Sequence, residues 1–503
     1  MIAKISSFAL YGLEGKSVEI EVDINNGLPS FEIVGLPDAT VKESKERVRS
    51  AIKNTGRTYP TKKITANFAP ADIKKEGSAF DLPLSIGLLK ASNQLIAETD
   101  GIVFLGELSL DGRLRKINGV LPILITAKEA GFTKFIIPYE NSNEASFVYG
   151  VEVYALKSLQ EVIDHLSGLN VKEKLECKEY AVGTDSTVYD SDLSFVKGQA
   201  TAKRALEIAV SGGHNILLVG APGTGKTMLA KCIPTIMPAM TFVEALETTK
   251  IHSVAGVLKT SDGIVSKRPF RSPHHTATTP ALVGGGSNVM PGEISLAHNG
   301  VLFLDEMPEY SRATLESLRQ PLEDGVISVS RVQGTVTYPA NFMLCGSMNP
   351  CPCGNLGSSE KECNCTPSQI TRYKAKISGP LLDRIDIQVM VDEVKYSELT
   401  AKEEGETSQT VRKRVDRTRL IQKHRFVNDG ILTNSDMGEK HIKKYCRLSE
   451  QCEKLLEASY SSLRLSPRAR SRIIKVARTI ADMELCDEIN ESHILEAISY
   501  RHS

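Results

Sequence analysis

Three groups of residues in this chain have the types and spacing for chemistry. The first is Gly220-Ala221-Pro222-Gly223-Thr224-Gly225-Lys226-Thr227, which fits G-x-x-x-x-G-K-[ST]. Glycines in such a loop let backbone N–H groups converge on phosphate oxygens. Lys226 adds a point charge for the outer phosphates, and the Thr227 hydroxyl suits Mg²⁺. The second is Val301-Leu-Phe-Leu-Asp305-Glu306, an apolar run ending in two acids. Beside a phosphate loop, Asp305 suits Mg²⁺ and Glu306 suits a general base that polarises the attacking water. These two groups predict ATP and Mg²⁺ as cofactors. The third is Cys351-x-Cys353, nine residues, then Cys363-x-Cys365. Four thiolates can close a tetrahedral shell around a structural Zn²⁺, although C-x-C is tighter than the usual C-x₂-C. Gly354, Asn355, Gly357, Ser358 and Ser359 between the pairs are turn formers. A metal would offset the ordering entropy of so polar a loop. Two disulfides or four unbound thiols are the alternatives, and a reducing compartment disfavours the disulfides.

These residues need elements to hold them. The apolar run Asn215–Val219 reads as a strand leading into the phosphate loop, and Lys226 to about Cys232 as a helix whose positive end faces the same anion. Phe342–Met348 is another buried-strand pattern, ending at the polar Asn349. Glu323–Tyr338 alternates on both arms and reads as a β-hairpin. Upstream, residues 1–166 read as one α/β domain. Val18, Ile20, Val22 and Ile24 alternate with polar residues, strand-like runs recur at Ile64–Phe68, Ile102–Leu105 and Lys134–Pro138, and helical patterns cover Asp38–Asn54, Phe80–Ala91 and Val120–Ala130. Residues 167–191 carry turn formers without an apolar face and read as a linker. Residues 192–395 hold the ATPase motifs with the four-cysteine loop at 351–365, and 396–503 read as a helical lid. In the lid, Val411–Arg425 is a basic helix with Val411, Val415, Thr418 and Ile421/Gln422 near one face. Its charge run is expected to be solvated rather than DNA-bound.

The bulk numbers bound the rest. A chain of 503 residues favours about three domains. The net charge is 0, so any DNA contact must come from local patches. The first residues lack the apolar core of a signal peptide, and no run of about 18 apolar residues occurs. A cytoplasmic protein without a membrane partner is expected.

Several stretches resemble known families. Asn67-Phe-Ala-Pro-Ala-Asp-Ile-Lys-Lys-Glu-Gly77 and Phe104-Leu-Gly-Glu-Leu-Ser-Leu-Asp-Gly112 look like the Lon-protease-type domain. Ala79 stands at that family's Ser position and Leu121 at its Lys position, so neither nucleophile nor base is supplied. Ser78 is one residue off. A scaffold or binding platform is expected, not a peptidase. Asp192–Gln199 resembles the segment bordering the adenine in AAA+ ATPases. The AAA+ resemblance implies that Asn349 is the sensor that holds the water. It also implies that Arg384, in Gly379-Pro-Leu-Leu-Asp-Arg384-Ile-Asp386, is an arginine finger reaching a neighbour's γ-phosphate. Arg468, with Arg470 as runner-up, would be the sensor 2 phosphate contact. Pro280–Glu293, which follows Arg268–Thr276, and the 323–338 hairpin resemble the pore insertions of the branch holding magnesium chelatase and the replicative helicase MCM. His274 and His275 read as loop or pore residues, not ligands.

The order of Lon-like domain, Arg271-Ser-Pro-His-His-Thr276, Leu304-Asp-Glu-Met-Pro-Glu309 and Asn349-Pro-Cys-Pro-Cys-Gly354 closely resembles the YifB/ComM family of magnesium-chelatase-like AAA+ ATPases. The expected fold is therefore α/β throughout: a Lon-protease-like α/β domain, then an AAA+ P-loop α/β domain with a C-terminal helical lid. The family implies a homo-hexameric ATPase that drives branch migration of recombining DNA in natural transformation. Its partners would be single-stranded and branched DNA, bound without sequence preference. A metal-insertion motor and a protein-remodelling chaperone are the rival readings.

Overall fold

The structure is a computed structural model. It describes residues 2–182, 189–286, 289–331, 334–358, 361–394, 405–463 and 466–501. The chain divides into two compact units, one of Met1–Val182 with Phe242–Val265 and one of Gly183–Thr241 with Ser266–Ser503.

The first unit is built on a seven-stranded sheet. Strands β1 (Ile2–Tyr11) and β2 (Glu14–Asn25) form an antiparallel hairpin. Val18, Ile20 and Val22 of β2 are fully buried, while Glu19 and Glu21 on the other face receive the Lys4 ammonium at 2.9 and 3.0 Å. This is the alternation expected of a half-buried strand. Next come β3 (Ser30–Val34), α1 (Ala39–Asn54), β4 (Lys63–Ala69), α2 (Asp81–Ala91), β5 (Ile102–Phe104), α3 (Val120–Glu129), β6 (Lys134–Pro138) and β7 (Glu152–Leu156). The sheet order is β3-β4-β2-β1-β5-β6-β7. Asp38 starts α1 by accepting the Val41 N–H at 2.7 Å. The helix then carries the chain from β3 to its parallel neighbour β4, the crossover that parallel pairing requires. Strands β1, β3 and β7 lie outside the runs expected from the sequence. The short β3 carries no clean apolar period, its residues ranging from exposed to half-buried.

The second unit opens with α4 (Ala200–Gly212), β8 (Ile216–Val219) and α5 (Lys226–Ile236). The chain then leaves it. Helix α6 (Phe242–Val254) belongs to the first unit. There the Gly119 N–H donates to the Ser253 carbonyl at 3.2 Å, and the Ser253 hydroxyl to the buried Glu144 at 2.6 Å. The chain returns for β9 (Phe270–Arg271), β10 (Val301–Leu304), the hairpin β11 (Val326–Arg331) and β12 (Gly334–Pro339), β13 (Met343–Met348), α7 (Pro367–Lys374) and β14 (Ile387–Met390). The main sheet has the order β9-β10-β13-β8-β14, and every pair is parallel. Strands β8, β10 and β13 are buried along their whole length, so their sequences are near-continuous apolar runs. Ile208, Ile216, Leu218, Leu229, Ile233, Phe303, Cys345 and Ile387 meet in one core.

The lid contains α8 (Ser408–Arg425), α9 (Pro467–Met483) and α10 (Glu491–Ser499). The buried stripe of α8 includes Val411, Val415, Thr418 and Gln422. Three of its cations act inside the unit: Arg414 pairs with Glu207 at 2.6 Å, Arg419 donates to the Val210 carbonyl at 2.8 Å, and Arg425 pairs with Asp482.

Two expected boundaries differ from these units. The core expected at 192–395 is interrupted, because 242–265 packs with the first unit. The linker expected from 167 begins later. The Leu175 N–H donates to the Val153 carbonyl at 2.7 Å and the Lys178 N–H to the Ser146 carbonyl at 2.9 Å, holding that stretch to the first unit. Of the expected linker, residues 183–188 lie outside the described residues, as does the boundary at 395/396. So do 287–288 in the glycine loop, the 332–333 hairpin turn, Ser359 and Leu465.

Candidate ATP site

In an open parallel sheet, ligands sit beyond the carboxyl ends of the strands. Gly220, Asp305 and Asn349 directly follow β8, β10 and β13. The Lys226 ammonium donates to the Gly220 and Ala221 carbonyls at 2.7 and 2.8 Å and to Asn349 Oδ1 at 3.2 Å. Burial lowers its pKa, while Asp305 and then Glu306 oppose the shift. The Thr227 hydroxyl donates to Asp305 Oδ2 at 3.0 Å. A hydroxyl beside a carboxylate is a hard-oxygen pair of the kind that holds Mg²⁺. Gly220 permits a close approach, since a Cβ there would stand 2.4 Å from the Val391 carbonyl oxygen.

Glu306 has a φ of 50°, in the left-handed region. Its N–H donates to the Ser347 hydroxyl at 3.1 Å, and that hydroxyl donates to Asp305. The strained backbone turns the exposed Glu306 side chain away from the path of β10, a conformation that the surroundings must hold in place. Ser347 is fully buried and was not anticipated. A hydroxyl inside the apolar strand Met343–Met348 was the available signal. Glu306, Glu309 and Asn349 line a cavity of about 540 Å³ together with Pro352, Gln369, Arg372, Tyr373 and Lys376. The phosphate loop borders a separate cavity of about 220 Å³, which includes Leu356 and Met390.

The four cysteines converge. Cys351 Sγ lies 3.4 Å from Cys353 Sγ and 3.6 Å from Cys363 Sγ, Cys353 and Cys363 are 3.7 Å apart, and all four sulfurs lie within 4.8 Å of one another. Four sulfurs each about 2.3 Å from a tetrahedral zinc would stand about 3.8 Å apart, so the set fits that ion. All ten cysteines are free, and the disulfide alternative does not describe this structure. The Asn355 N–H and then the Cys351 thiol draw the Cys353 pKa down to about 6.

The arginines fall elsewhere. The Arg384 side chain is 9 % exposed; it pairs with Glu323 and donates to the Pro380 carbonyl at 2.8 Å. Its Nε is buried without a partner among the described residues. Glu323 is held below the usual carboxylate range by its bond to Arg384, with Arg468 and Arg319 adding to the effect. Arg384 therefore pairs with Glu323, the charge of Arg468 also acts on that carboxylate, and among the described residues neither arginine is bonded to Lys226, Thr227 or Asp305. Arg470 pairs with Glu453 at 2.9 Å. In the insertion, Arg271 makes a two-pronged pair with Glu293 at 2.6 and 2.7 Å, and the His274 and His275 rings pack at 4.1 Å.

Family models for magnesium chelatase subunit ChlI match residues 192–399 and 20–141, and the model for its C-terminal part matches 405–501. The Competence protein ComM of Haemophilus influenzae is 43 % identical over 507 residues, covering 99 % of this chain and 97 % of the relative. The chain belongs to the YifB/ComM family of magnesium-chelatase-like AAA+ ATPases. The uncharacterized protein YifB of Escherichia coli is also 43 % identical, over 98 % of this chain and 96 % of its own length. Lon protease 2 of Bacillus subtilis matches more narrowly, at 28 % over 180 residues. In this YifB/ComM member Ala79 and Leu121 stand at the positions that resemble the protease Ser and Lys. Leu121 is fully buried, Ala79 packs against the core, and Ser78 bonds to Glu107. The Lys75 ammonium donates to the Pro70 carbonyl instead. No helix among the described residues is long and apolar enough to cross a membrane.

Proposed function

We propose that the chain is the subunit of an ATP-driven homo-hexameric motor that drives branch migration of DNA in homologous recombination and natural transformation. The pairing of the adjacent Lys226 and Thr227 with Asn349 and Asp305 carries the ATPase part. Similarity to a relative named for competence supports the DNA part. Lys226 and the loop N–H groups would bind the phosphates, and Thr227 and Asp305 would hold Mg²⁺, which would supply charge neutralisation at the phosphoryl oxygens. Glu306 takes the proton of the attacking water, and Asn349 orients that water. Arg384 is paired with Glu323 and not with the groups around its own phosphate loop, which favours action across a subunit boundary, where Arg384 and Arg468 would stabilise transition-state charge. Zn²⁺ is proposed on Cys351, Cys353, Cys363 and Cys365.

Strand displacement on a three-strand DNA junction tests the motor. Purified protein should displace the strand only with ATP, and Lys226→Ala should abolish displacement. Absence of any binding to single-stranded or branched DNA at low salt would overturn the reading. ATP turnover stimulated by unfolded protein and not by DNA would favour the remodelling rival.

A further inference from the structure

The four-cysteine loop touches the ATP site at more than one point. It starts two residues after Asn349. Gly354, with a φ of 82°, lies so close to the phosphate loop that a Cβ there would stand 2.6 Å from Pro222 Cδ. Leu356, Gly357 and Ser358 then wall the smaller cavity opposite Gly220, Ala221 and Thr224. The Ser358 hydroxyl donates to Glu393 at 2.6 Å, just past β14.

The second cysteine pair runs directly into Thr366. This residue caps α7 by accepting the Gln369 N–H at 3.3 Å, while the Gln369 side chain accepts the Thr366 N–H at 2.8 Å. Gln369, Arg372 and Tyr373 of that helix wall the larger cavity, facing Glu306 and Asn349. The loop therefore lines the cavity beside the phosphate loop through Leu356, Gly357 and Ser358, and the cavity of Glu306 and Asn349 through Pro352. Leu356 is the one large apolar side chain between the cysteine pairs, so hydrophobic burial contributes little to its shape.

We propose that the four-cysteine loop is a metal-dependent clasp on the nucleotide site, so that metal occupancy sets nucleotide affinity and hydrolysis. With the four sulfurs on one ion, Gly354 is pressed against Pro222, and α7 is fixed beside Asn349. Without the ion, the loop loses the tie that joins its two ends, and both walls are released. The inference rests on the zinc reading of the cysteines.

The test uses the full chain. Zinc per chain is measured first, then the affinity for a fluorescent ATP analogue and the ATP turnover, before and after removal of zinc with a thiol-competing chelator and after zinc is restored. About one zinc per chain is expected. The stripped protein should bind the analogue roughly tenfold more weakly, equivalent to ~1.4 kcal/mol, with recovery on zinc addition. Gly354→Ala keeps all four thiols, so it should retain zinc yet lose affinity in the same direction. Cys363→Ser/Cys365→Ser should lose both. A stripped protein that binds and hydrolyses ATP like the loaded one would overturn the clasp and leave the zinc site standing. So would a zinc-loaded Gly354→Ala with unchanged affinity. A chain that takes up no zinc under reducing conditions would remove the zinc reading and the clasp with it.

Discussion

Glu306 combines a left-handed backbone with an exposed carboxylate, and its N–H is fixed through Ser347 to the carboxylate assigned to Mg²⁺. Substituting Glu306→Gln keeps the shape and removes the base. Turnover should fall by ~10²-fold or more, while a fluorescent ATP analogue should still bind; normal turnover would move the base elsewhere. Ser347→Ala should leave the fold intact but remove one bond to Asp305 and one from the Glu306 N–H, which still reaches Asp305 Oδ1 at 3.1 Å. Losing a buried hydrogen bond to a charged group costs ~1.5–3 kcal/mol, and steady-state ATPase with titrated Mg²⁺ should show a raised Mg²⁺ requirement. Arg384 offers a third test. Arg384→Ala and Lys226→Ala subunits should each be inactive alone and recover some turnover when mixed, because a mixed interface can pair an intact loop with an intact finger. Concentration-independent turnover by a strict monomer would refute that arrangement. At this scale the sequence was most legible where chemistry is local. Gly220–Thr227 and Asp305-Glu306 are contiguous motifs, and the structure brings Lys226, Thr227, Asp305 and Asn349 together. Ser347 was not legible, because its role depends on the pairing of β10 beside β13. The partnership of Arg384 with Glu323 depends in the same way on residues 61 positions apart.

Between elements, a buried polar network joins the lid to the ATPase sheet. Asp386, just before β14, pairs with Arg472 of α9 and with His214 Nδ1 at 3.2 Å, and His214 Nε2 meets the Thr479 hydroxyl at 2.8 Å. Burial alone would raise the Asp386 pKa. Arg472, then His214 and Arg501, overcome it and hold the group well below the usual carboxylate range. The folded chain thus binds fewer protons here than the unfolded one. The stabilisation is present above an unfolded pKa of about 3.9 and is lost as pH falls below it toward the folded value. Urea unfolding between pH 3 and 7 should show this acid limb, and Asp386→Asn should flatten it while costing ~3 kcal/mol at neutral pH. The helix and strand periods exposed most elements in advance, including the lid helix Ser408–Arg425. They could not reveal that its arginines are engaged by Glu207, Val210 and Asp482, because those partners come from distant stretches of chain. Short β3 and β7 were likewise hidden, since neighbouring strands rather than a clear apolar period define them.

For the whole molecule, the sequence marked the two sets of motifs but not how the chain is shared between the units. Nothing in the composition of Phe242–Val265 separates it from the ATPase motifs on either side. The structure nevertheless buries Ala245, Thr248, Ile251 and Val254 of α6 in the first unit. A fragment beginning at residue 192 should therefore expose that helix. Ile251 and Val254 each forfeit ~1.5–3 kcal/mol of burial, and light scattering should report aggregation that co-expression with residues 1–182 relieves. A well-behaved, cooperatively folding 192–503 fragment would show that α6 does not need its partner. The chain passes from one unit to the other three times, after residues 182, 241 and 265. The first unit is thus completed by a stretch from the middle of the chain. Severing the backbone at any one crossing leaves two others intact, so a nicked chain should still sediment as one particle until denatured. Only residues 237–241 separate the end of the phosphate-loop helix α5 from the start of α6. The helix that follows the phosphate loop and a helix of the protease-like unit are thus neighbours along the chain, five residues apart.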